Sequence, residues 1–67
     1  MNKFKELNEK EMSLVKKAGY VVEENKEYSE EDYEKCVNVI CDYIMSHSKN
    51  EIPTIENEFS SALSKII

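Results

Sequence analysis

Arginine and tryptophan are missing from this chain of 67 residues, and glycine, proline and histidine occur once each. Without arginine there is no planar guanidinium fork to clamp a phosphate or read a guanine edge. The nine lysines face fourteen acidic residues, for a net charge of −5. Such a chain lacks the basic face that sequence-independent DNA binding requires. A single Gly and a single Pro leave few tight turns, which weighs against a strand-rich fold and for helices. No apolar run reaches seven residues, and the opening Met1-Asn-Lys-Phe-Lys is polar. Neither a signal peptide nor a membrane span is expected, and the expected location is the cytoplasm, with reduced thiols.

What the chain does have is helical periodicity. In Tyr33-Glu-Lys-Cys-Val-Asn-Val-Ile-Cys-Asp-Tyr-Ile44, the residues Tyr33, Cys36, Val37, Ile40, Cys41, Tyr43 and Ile44 share an arc of about 160° at 100° per residue. Glu31, Lys35, Asn38 and Asp42 take the other side. The arc is wider than one neighbouring helix needs, which makes this the central helix of a bundle. Ser29 is placed to cap it, and Glu30, Glu31 and Asp32 fill a first turn where the macrodipole favours negative charge. Tyr28 and Tyr33 have the spacing of a hydrophobic staple. The predicted span is 30–47, stopping in Ser46-His-Ser-Lys-Asn50.

Two shorter helices flank it. Asn8 and Glu11 form a capping-box pair at the start of a helix over 9–18, with Met12, Val15 and Ala18 inward and Leu14 at the edge. Gly19 follows as a left-handed stop, with Lys16 and Lys17 suiting the last turn. Pro53 opens a third helix over 53–66, where Ile55, Phe59, Ala62 and Ile66 make a narrow seam. Residues 20–28 read as a loop that tucks an apolar residue or two under the bundle. Residues 1–7 read as a loosely packed arm carrying Phe4 and Leu7. The expected architecture is all-α, a single domain built as a small antiparallel three-helix bundle. A chain this short buries only about 60% of its unfolded surface, so dimerisation is an expected source of stability.

Side chains that could carry chemistry do not converge. Cys36 and Cys41 point about 140° apart on a helix, so they neither close an intrahelical disulfide nor form a CxxC pair. They read as small core residues, with a bridge between two copies as the sharper alternative. His47 lies about 16 Å along the helix from Cys36, too far to share a metal. It suits a helix C-terminus as a cation. No nucleophile–base pairing is readable, so no catalytic residue, cofactor or metal is assigned and no enzyme is expected. A helix-turn-helix DNA binder is the alternative among three-helix folds. The central helix opening Glu-Glu-Asp-Tyr-Glu and the lack of arginine disfavour it.

Two features point instead to a protein partner. Residues 23–34 carry seven acids against Lys26 alone, a net of −6 in a chain whose remainder sums to +1. An acidic field of this kind speeds association with a basic protein. Val39 and Tyr43 sit at one border of the central apolar arc and Met45 at the other, and tyrosine is enriched at interfaces. The expected contact residues are Glu27, Glu30, Glu31, Glu34, Val39 and Tyr43. The expected partner is a basic protein or a second copy, with no nucleic acid and no membrane.

The elements Ala18-Gly-Tyr, Lys26-Glu-Tyr-Ser-Glu-Glu and Tyr43-Ile-Met-Ser-His-Ser-Lys-Asn50, with a Lys-, Asn-, Glu- and Ile-rich composition, resemble short all-helical proteins of AT-rich Gram-positive bacteria. That group has no assigned activity. The resemblance covers residues 18–66 and implies a compact helical domain, without implying a mechanism.

Overall fold

Two capping boxes and one left-handed glycine divide the chain. A computed structural model describes residues 2–23 and 25–67. Its helices are α1 (Glu9–Ala18), α2 (Glu30–Met45) and α3 (Ile52–Ile66), preceded by a 3₁₀ turn over Lys3–Glu6. They form an all-α three-helix bundle, with no strand among the described residues.

α1 starts where Asn8 Oδ1 accepts the Glu11 amide and Glu11 Oε1 accepts the Asn8 amide, both at 2.8 Å. It ends in a Schellman pattern. The Gly19 amide donates to the Lys16 carbonyl at 3.0 Å and the Tyr20 amide to the Val15 carbonyl at 3.2 Å, with Gly19 at φ +112°. α2 starts with the reciprocal pair of Ser29 and Asp32. It is two residues shorter than its periodicity predicts, because Ser46 and His47 turn their own side chains onto the Tyr43 carbonyl, each at 2.7 Å. A carbonyl only accepts, so His47 Nδ1 carries the proton in that bond. α3 starts one residue before Pro53, with Glu51 as a cap that makes no side-chain bond.

α2 and α3 run antiparallel. Tyr33 and Val37, near the start of α2, share a hollow with Ile66 and Ile67. Tyr43, near its end, meets the Phe59 ring at a centroid distance of 5.8 Å. The core between the helices holds Val15, Cys36, Ile40, Ile44, Phe59, Ala62 and Ile66, all buried. Val15 is the buried apolar residue of α1, with Met12, Leu14 and Ala18 packed at its margin.

Of the loosely packed arm expected over 1–7, Met1 lies outside the described residues, and residues 2–7 are packed against the bundle. Phe4 is 2% exposed and Leu7 is also buried. The Phe4 ring lies between 4.8 and 5.8 Å from the rings of Tyr28, Tyr33 and Tyr20. Asn2 caps the turn by accepting the Phe4 amide at 2.9 Å, and the Lys3 amide donates to the Tyr33 hydroxyl at 2.9 Å. An aromatic cluster therefore ties the chain's start to the head of α2. The expected staple is part of it, with Tyr28 and Tyr33 centroids 6.2 Å apart. The connection at 20–28 is irregular where described. It buries Tyr28, whose hydroxyl accepts the Glu23 amide at 2.8 Å, and leaves Val21 in solvent.

Candidate functional site

An apolar helix face left uncovered is the feature of this bundle most able to bind something. On α2, Glu30, Glu34, Val37, Cys41 and Met45 follow one another at three- and four-residue steps, so they line one face. On α3, Glu56, Ser60 and Ser64 follow at four-residue steps with Leu63 beside Ser64, and Ile67 lies just past the helix end. Between the two stripes lies a groove of about 550 Å³, floored by Ile44 and Leu63 and edged by Cys41, Met45 and Ile67. Met45 and Ile67 are 70% and 76% exposed. A second hollow of about 330 Å³, lined in part by Glu30, Glu34 and Val37, continues past Ile67 toward the head of α2.

The residues singled out in the sequence divide between covered and open positions. Glu27, Glu30, Glu31 and Glu34 are all exposed around the start of α2. Val39 and Tyr43 are only half-exposed. Val39 packs beside the end of α1, where a β-carbon placed on Gly19 would stand 3.9 Å from Val39 Cγ1. Tyr43 is held between Phe59 and His47, with the His47 ring 4.6 Å away. The border of α2 that stands open is the other one, marked by Cys41 and Met45. A wide arc on a helical wheel cannot show which of its borders a neighbour will cover.

The cysteines differ in kind. Cys36 is fully buried, and burial pushes its thiol up to about 11. Cys41 is exposed at the groove's edge, so a bridge between two copies would have to use Cys41. Among the described residues, no three His, Cys, Asp or Glu side chains converge as a metal site would need. No helix among them is long and apolar enough to cross a membrane.

One polar residue has a role that local spacing did not reveal. Glu11 is 4% exposed, and its capping bond uses only part of its acceptor capacity. Lys65 Nζ also reaches its Oε1 at 2.7 Å, and the Ser61 hydroxyl donates to Oε2. The Lys65 ammonium, the Ser61 hydroxyl and the Asn8 amide hold the Glu11 carboxyl at about 2. Only the short-range half of this cluster, Asn8 with Glu11, has a sequence signature.

Comparison of the chain with protein-family models, with curated proteins and with solved structures yields no match.

Proposed function

We propose that this chain is a non-enzymatic protein-binding module whose contact surface is the open α2–α3 face together with the acidic first turn of α2. The observation that carries this reading is the apolar groove of about 550 Å³ between two helices that are otherwise well packed. Its edges expose Met45 and Ile67, and exposed apolar surface framed by polar side chains is a feature of interaction sites. Glu27, Glu30, Glu31 and Glu34 add a local negative field, which would raise the association rate with a basic partner and make it salt-sensitive.

Affinity capture from the native cell lysate tests this. Wild type is compared with Ile67→Lys and with charge reversal at Glu27, Glu30, Glu31 and Glu34. A partner retained by wild type and lost from both variants is expected. Identical bound proteins across all three would overturn the reading.

A further inference from the structure

We propose that the α2–α3 groove receives one amphipathic helix with basic flanks, presented by another protein; the inference rests on the protein-binding reading above. The two hollows share Ile67 as a common wall, and together they follow α2 from Glu30 to Met45. At 1.5 Å per residue that path is about 22 Å long, the length of about four helical turns. Its middle is apolar, with Val37, Ile44 and Leu63 below and Cys41, Met45 and Ile67 at the edges. Helix-in-groove recognition fills such a channel with side chains at i, i+3 or i+4, and i+7.

The α3 wall suits close approach. Ser60 and Ser64 are small, and each hydroxyl already donates within its own helix, to the Asn57 carbonyl at 2.9 Å and the Ser61 carbonyl at 2.8 Å. Covering them strands no hydroxyl proton, so the desolvation cost is low.

Charge decides among occupants. Glu30 and Glu34 stand at one end of the path and Glu56 lines the other hollow. Among the described residues, Lys3 is the cation lining the first of these ends, and its ammonium lies 5.0 Å from the centre of the Tyr33 ring. A second copy in either symmetric orientation would bring acids against acids. Nucleic acid and anionic membranes would meet the same repulsion. A helix with lysine or arginine on both flanks of an apolar stripe matches the channel along its length.

The test is an NMR titration of the ¹⁵N-labelled chain with a synthetic peptide of about 18 residues, five helical turns. It carries leucine at alternating three- and four-residue steps and lysine at the remaining positions. A second peptide replaces every lysine with glutamate. Saturable shifts at Val37, Cys41, Met45, Leu63 and Ser64 are expected with the lysine peptide and not with the glutamate one. Glu30→Lys/Glu34→Lys should weaken binding about tenfold. Met45→Lys, at an exposed position, should weaken it at least as much without touching the core. Equal binding of both peptides, shifts outside the groove, or no shifts would overturn the inference. Groove shifts that grow with the concentration of the chain alone would mark a second copy as occupant. That result overturns this inference and leaves the protein-binding reading standing. Loss of the captured partner's dependence on Ile67 would overturn both.

Discussion

Glu11 Oε1 lies 2.7 Å from Lys65 Nζ, so the first turn of α1 is fastened to the last turn of α3 across 54 positions of chain. The same carboxylate caps α1, which couples the start of one helix to the packing of another. This is the residue through which stability should respond most to acid.

The carboxyl of Glu11 is lowered from 4.5 to about 2, through the Lys65 ammonium first, then the Ser61 hydroxyl and the Asn8 amide. The folded chain therefore binds fewer protons than the unfolded chain in that window. The stabilisation is complete above pH 4.5 and lost as pH falls toward 2. Asp32, lowered chiefly by its bond from the Ser29 amide, acts in the same direction. Tm measured across this range should fall steadily for wild type. Glu11→Gln keeps a cap acceptor without the charge, so it should start lower and fall less steeply, with Asp32 supplying the remaining slope.

Phe4→Ala should cost about 3–5 kcal/mol by urea denaturation, the amount typical of a buried aromatic. Ile40→Ala, in the centre of α2, should cost about 2–5 kcal/mol. Either is enough to unfold much of a marginally stable chain. A Phe4→Ala variant that unfolds with wild type would show that residues 3–7 are not part of the core.

Gly19→Ala should destabilise by about 1–2 kcal/mol, because φ +112° penalises any β-carbon. The space itself is open, since the nearest atom would be Val39 Cγ1 at ordinary contact distance. Thermal melts of Gly19→Ala and Gly19→Asn check this, and Asn, which tolerates positive φ better, should lie between alanine and wild type.

The two thiols should react at very different rates. Cys41 is exposed and should be alkylated in the folded protein. Cys36 is buried with its thiol pushed up to about 11, and should react only when the chain opens. Mass spectrometry during iodoacetamide labelling should show one fast and one slow addition. Urea should accelerate only the slow one.

These outcomes divide along the same line as the legibility of the chain. Asn8 with Glu11, Ser29 with Asp32, and Gly19 were readable because capping and the left-handed stop act over three or four residues. The spans of α1 and α3 followed almost to the residue. α2 ended early because Ser46 and His47 spend their side chains on the Tyr43 carbonyl, a competition that periodicity does not register. Phe4 was readable only as part of a loose arm, because a single 3₁₀ turn has no repeating apolar signal and its burial depends on Tyr20, Tyr28 and Tyr33 arriving from elsewhere. For the docking surface, the sequence showed that the arc of α2 had two borders. That Val39 lies beside Gly19 while Met45 stays open depends on where α1 is laid down, which is a tertiary fact.

The central claim is that the Met45 border of α2, within the α2–α3 groove, is where another protein docks. A photo-crosslinking residue placed at Met45 tests it most directly in the native cell lysate, with the same residue at the exposed Lys17 of α1 as comparison. The account predicts a discrete adduct from position 45, reduced by added salt, and none of that mass from position 17. The same adducts from both positions, or none from position 45, would contradict it.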